Sequence, residues 1–183
     1  MGRVSPSEWR PAHSRPSCTP FGQEVKQYSE KRALRHDYRY TAYMPTHVVR
    51  EELAGADADA VWALLGDLTN IDWMTLTERV EVFGSGPGMR RRLHGRTGSP
   101  VTEHLLSHDA GNRRMVYELV ENNPLPADPY TVTAVVQPTS NGSVVSWTVD
   151  FESASTADEA KVVGGIDAIY PMIAGWLREA VAS

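Results

Sequence analysis

Three side chains have types and spacing suited to chemistry: Arg91, Glu103 and Tyr117. Each sits in a short run with strand-like alternation, where every second residue shares a face. Met89, Arg91 and Leu93 share one face of their run, and Val101, Glu103 and Leu105 share one face of the next. Met115, Tyr117, Leu119 and Glu121 do so in a third. The apolar members mark these faces as inward. A charge on such a face is costly unless it is paired or reached by water, so Arg91 and Glu103 are expected to pair across adjacent strands. That pair has three readings: a polar anchor for a ligand carbonyl or carboxylate, a general acid/base, or a structural ion pair. Glu121, near its strand end, is a further polar candidate on the same face.

The remaining candidate lining is apolar and aromatic. Tyr130, Val132 and Ala134 share a face, as do Trp147, Val149 and Phe151. Ile166, Tyr170 and Ile173 lie on the apolar stripe of the last helix, and Trp73 precedes the second strand. A tyrosine offers a ring and one hydroxyl, suited to an oxygenated hydrophobic ligand. Ordinary core packing explains the tyrosines equally well. It is the commoner role for Trp73, Trp147, Tyr170 and Trp176.

Other chemistries find little support. His104 and His108 are four apart, but on a strand they share the outward face at a distance, so no metal site is expected. Arg90, Arg91 and Arg92 form a basic run whose alternate members read as a solvated face. No phosphate loop, serine elbow or dinucleotide fingerprint is present, and no cofactor is expected.

The elements that must position these residues follow from periodicity. Thr46–Leu53 reads as a strand. Asp57 opens a helix over Ala58–Leu68, and Asn70–Met74 reads as a second short helix. Strands are expected at Arg79–Phe83, Met89–Arg96, Val101–Ser107, Arg114–Glu121, Tyr130–Gln137 and Ser143–Glu152. They are separated by Gly-, Pro- and Asn-rich turns, including Asn141-Gly142. Asp158–Ala182 reads as one long helix with a broad apolar face and Pro171 inside, where a kink is expected. The order predicts an α+β domain: about seven antiparallel strands curved around the C-terminal helix, with two short helices after the first strand.

The chain has 183 residues, 41% hydrophobic and 22% charged, with a net charge of −5. That is ordinary for one globular domain, and the acidic balance argues against a general nucleic-acid binder. The single cysteine, Cys18, permits no internal disulfide. No apolar run approaches the roughly 18–20 residues of a membrane span, and no secretion-signal stretch opens the chain. A cytoplasmic protein is expected. Residues 1–43 hold four prolines and little apolar periodicity. They read as an N-terminal extension, docked or poorly ordered, with a partner-recruiting role as one option. Met44 is an alternative start of the domain that spans 44–183.

The residues also carry a resemblance. Val61-Trp62-Ala63-Leu64-Leu65-Gly66-Asp67-Leu68, continuing to Asp72-Trp73, resembles the opening helix of the START-like (SRPBCC) superfamily. Gly88-Met89-Arg90, then Glu103, Leu105 and Asp109, resemble its middle. Trp147-Thr148-Val149-Asp150-Phe151 and the last helix resemble its end. In style the chain is most similar to the polyketide cyclase/dehydrase and lipid-transport branch. The resemblance implies a helix-grip fold and a hydrophobic, polyketide-like or lipid-like ligand held between sheet and helix. It allows either a cyclase/dehydratase, acting as a lyase or isomerase, or a non-catalytic carrier. More distantly, plant abscisic-acid receptors place a glutamate bordering the pocket at the position of Glu103. They carry two closing loops where Thr97–Pro100 and Asn123–Pro126 stand here. Their His-Arg-Leu latch is missing from this chain, so hormone sensing is not implied.

Overall fold

The computed structural model describes residues 44–183; the N-terminal extension expected over 1–43 lies outside them. Strand β1 (Thr46–Ala54) is followed by helix α1 (Ala58–Leu65). Six strands come next: β2 (Thr77–Phe83), β3 (Arg90–Gly95), β4 (Val101–Asp109), β5 (Arg114–Glu121), β6 (Ala127–Thr139) and β7 (Gly142–Ser153). Helix α2 (Thr156–Ala182) closes the chain. All seven strands form one antiparallel sheet in the order β1-β7-β6-β5-β4-β3-β2. This is the expected helix-grip arrangement. Strand β1 leaves the meander and returns to pair with β7, which places the two chain-order extremes of the sheet side by side.

Local chemistry sets the boundaries. Asp57 caps α1, its carboxylate accepting from the Asp59 and Ala60 amides at 2.8 and 3.2 Å. The helix stops at Leu65, earlier than the apolar periodicity suggests, because short polar side chains capture the backbone beyond it. Asp67 accepts from the Thr69 amide at 2.9 Å, and Asn70 accepts from the Asp72 amide at 2.9 Å. The second short helix expected at Asn70–Met74 is therefore a series of turns. Ser155 caps α2 by accepting from the Asp158 amide at 3.1 Å, so α2 begins at Thr156. It runs through Pro171 to Ala182.

Gly142 closes the β6–β7 hairpin with φ at 139°. A Cβ there would lie 2.4 Å from the Leu53 carbonyl oxygen, so only glycine lets β1 pass this close.

The core lies between sheet and α2. Val162, Ile166, Tyr170, Ala174 and Leu177 form the buried stripe of α2. They meet Val132, Val145, Trp147, Val149 and Phe151 from the sheet. Among the described residues, the backbone of α2 approaches β1, β6, β7 and α1 closely, and none of β2–β5. The half of the sheet that carries Arg91, Glu103 and Tyr117 is thus the half that the helix backbone does not approach, side chains alone spanning the gap.

Candidate functional site

Arg91 on β3 and Glu103 on β4 are direct cross-strand partners. The Arg91 Nε donates to Glu103 Oε2 at 2.6 Å, with the two side chains 8% and 12% exposed. Arg91 Nη1 also donates to the Leu68 carbonyl at 3.4 Å, tying the pair to the turns after α1. Both charges face the interior. Their mutual hydrogen bond makes that placement tolerable, since a buried ion without its partner is strongly destabilising.

A tyrosine cluster lies on the same side. Tyr117 of β5, Tyr130 of β6 and Tyr170 of α2 are all buried. The hydroxyls of Tyr130 and Tyr170 are 3.3 Å apart, and the Tyr117 phenol lies beside that of Tyr170. The Tyr170 ring stacks on Trp147 with centroids 5.1 Å apart. Burial pushes all three phenols above their usual range, and for Tyr117 and Tyr130 the Glu103 carboxylate adds to the effect. The phenols therefore stay protonated at neutral pH and act as hydrogen-bond donors, not as bases.

Met89, Leu105, Val132, Trp147, Val149, Ile166 and Trp73 are buried in the core, and Leu119 and Ile173 pack partly buried against it. Leu93 and Val101 are cross-strand partners and half-buried. The indole Nε1 of Trp73 is buried with no hydrogen-bond partner among the described residues.

Two sequence expectations about faces need correction, and one cause covers both. The β4–β5 ladder shifts register twice: Val120 of β5 is left out between Leu119 and Glu121, and Leu106 of β4 between Leu105 and Ser107. Each inserts an unpaired residue and reverses the alternation beyond it. Glu121 therefore pairs with Thr102 and leaves the inner face. Its carboxylate accepts from Thr102 Oγ1 at 2.7 Å and from Arg92 Nη2 at 3.3 Å on the outer side. His104 and His108 likewise do not share a face. His104 Nδ1 meets Glu118 at 3.0 Å on the outer side, while His108 Nε2 meets the Gly66 carbonyl at 3.1 Å and its ring lies 5.2 Å from Trp62.

Sequence reasoning also missed how the β5–β6 loop sits. Leu125 lies against α2 at Gly165, where an added Cβ would be 2.2 Å from Leu125 Cδ2. Asn123 shapes that loop, accepting from the Leu125 amide at 3.0 Å and donating to the Ala127 carbonyl at 2.9 Å. Asn122 donates to the Pro100 carbonyl at 2.8 Å, so both loops singled out in the sequence meet at this end of the domain. The Gly164-Gly165 pair inside a helix was the available signal.

Residues 45–182 match the family model described as polyketide cyclase / dehydrase and lipid transport. The chain belongs to this family. Solved structures agree on the fold. A Thermobifida fusca protein is 25% identical over 74% of this chain and 91% of its own, with a TM-score of 0.63. An uncharacterised Bacillus thuringiensis protein is 22% identical over 76% and 98%, with a TM-score of 0.63. A point mutant of norcoclaurine synthase from Thalictrum, in complex with a transition-state analogue, is 21% identical over 78% and 98%, with a TM-score of 0.58. A comparison with curated proteins gives no match. Among the described residues, no helix of this polyketide cyclase/dehydrase family member is long and apolar enough to cross a membrane.

Proposed function

We propose that this protein holds a hydrophobic, oxygen-bearing small molecule between α2 and the β2–β5 half of the sheet. The observation that carries the reading is a polar group among apolar walls: the Arg91–Glu103 pair and Tyr117 lie on the β2–β5 stretch that the helix backbone does not approach, and Tyr130 of β6 and Tyr170 of α2 stand at its border. A packed core gains nothing from such a group, whereas a binding site needs a few convergent polar atoms within apolar walls. The family's description, which spans cyclisation, dehydration and lipid transport, is consistent with a ligand of this kind. The fitting experiment is a titration with Nile red, a neutral apolar dye. One saturable site with a blue-shifted emission is expected, and no uptake would contradict the reading.

A catalytic version rests on Glu103 and Tyr117 standing on neighbouring strands, near enough for the carboxylate to raise the phenol's pKa. The walls would fold a flexible substrate into a reactive conformer. Glu103 would accept a proton from a carbon next to a carbonyl, and a tyrosine hydroxyl would donate a hydrogen bond to the enolate oxygen that forms. Cyclisation or loss of a β-hydroxyl would follow from that enolate. Glu103→Gln then abolishes turnover while leaving affinity largely intact. A variant that keeps both activities removes the catalytic role and leaves the binding role standing.

A further inference from the structure

We propose that Glu103 sets the charge of the ligand: by occupying Arg91, it makes the interior select a neutral carbonyl-bearing molecule over a carboxylate. The inference rests on the ligand-binding reading above and decides between the two anchors, carbonyl or carboxylate, that Arg91 alone would serve.

Among the described residues Arg91 is the only buried cationic side chain. Its Nε is committed to Glu103 Oε2 at 2.6 Å, and its Nη1 leans on the Leu68 carbonyl. The other buried charged side chain, Glu118, faces the opposite side of the sheet beside His104. Two histidines on the inner side are also engaged. His47 is paired with Asp167 at 2.7 Å, and His108 meets the Gly66 carbonyl. Interior charge is therefore closed on itself. An incoming carboxylate would find Glu103 close by and no uncommitted cation, and a buried unpaired charge is far costlier than a buried dipole.

The uncharged groups favour acceptors on the ligand. Tyr117, Tyr130 and Tyr170 present hydroxyls, and the buried indole N–H of Trp73 has no acceptor among the described residues. A ketone or ester oxygen supplies an acceptor without bringing charge. Native interiors rarely leave a buried donor unpaired, and a carbonyl oxygen that reached the Trp73 N–H would supply the acceptor it lacks.

The test uses one skeleton in two charge states: 2-acetylnaphthalene and 2-naphthoate, titrated calorimetrically at pH 7 into the full chain. The wild-type protein should bind the ketone tighter by about tenfold or more. In Glu103→Gln, Arg91 is released and the preference should reverse. If that variant does not fold, the double variant Arg91→Met/Glu103→Gln serves, because it removes both charges and should keep the ketone preference. Equal binding of the two compounds by the wild type would overturn the proposal. So would a folded Glu103→Gln that gains nothing for naphthoate, or a double variant that prefers the acid. Failure of both compounds in a protein that still takes up Nile red overturns this inference alone. Failure of all three overturns the ligand-binding reading with it.

Discussion

The two faces of strands β2–β4 are built from the same residue types and behave oppositely. On the inner face one arginine and one glutamate stand 2.6 Å apart, 8% and 12% exposed. On the outer face, one residue along, Glu81 gathers Arg79, His94 and Arg92, and Arg92 also reaches Glu121 at 3.3 Å. The outer side chains are between 23% and 58% exposed. Arg92 also lies over the exposed Phe83 ring, 5.7 Å from its centroid. Water screens the outer network, so its members are interchangeable and weak. Among the described residues the inner pair hydrogen-bonds only to itself and one carbonyl, so removing either member leaves the other without its direct counter-charge. Alternation along a strand thus places a solvent-screened network and a buried ion pair one residue apart.

The largest expected effect breaks the inner pair. Glu103→Leu leaves Arg91 buried without a counter-charge and should cost about 3–5 kcal/mol of unfolding free energy in urea denaturation. Adding Arg91→Met should recover most of that loss. If Glu103→Leu costs no more than an outer-face substitution, the contrast between the faces is wrong.

Next in size is the alkaline limb of stability. The folded phenols of Tyr117, Tyr130 and Tyr170 lie above their usual range. In the unfolded chain they ionise near pH 10, so their stabilising contribution is full below about pH 10 and is lost as pH rises toward the folded values. Each such group steepens the loss by about 1.4 kcal/mol per pH unit. Melting temperature should therefore hold through neutral pH and fall above about pH 10, and Tyr117→Phe should make that fall shallower. An unchanged slope in Tyr117→Phe would show that the phenol is not held protonated by the fold. The outer face contributes at the other end of the scale. Arg79 holds the Glu81 carboxyl below its usual range, so its contribution is present above the ordinary carboxylate pKa and is lost only in acid.

A third test concerns how the inner face is reached. Gly165→Ala would displace Leu125, a flexible side chain, while raising helix propensity by about 0.5–1 kcal/mol. Stability should change by less than about 1 kcal/mol while Nile red enters and leaves faster in stopped-flow mixing. Unchanged rates would mean that Leu125 does not guard the interior. The smallest effect belongs to Glu81→Gln, a minor loss of stability that diminishes with added salt. A large, salt-independent loss there would erase the distinction between the faces.

Much of this contrast was legible before any coordinates. Glycine, proline and asparagine turns divide the strands, and the alternation of Met89, Arg91 and Leu93 sets Arg91 inward against Glu103. The apolar stripe of α2 was equally clear, since its burial follows directly from steps of three and four. What escaped was the pair of bulges in the β4–β5 ladder, one in each strand. A bulge costs one residue of register and leaves no mark in composition, and the extra residues, Val120 and Leu106, look like any strand valine and leucine. Glu121 and His108 were misplaced for that reason alone. Asn70–Met74 failed for a different one: side-chain capture of backbone amides by Asp67 and Asn70 overrode a weak helical pattern. The seating of Leu125 on Gly165 joins residues forty apart and was beyond any local reading.

The central claim is that the interior beside β2–β5 is a binding site and not filled core. Native mass spectrometry of the purified protein, followed by denaturing extraction of whatever is bound, tests it most directly. The account predicts one neutral, apolar, oxygen-bearing molecule per chain, or uptake of one equivalent of Nile red by protein that arrives empty. An empty protein that also refuses the dye would contradict it and make the Arg91–Glu103 pair a structural bridge.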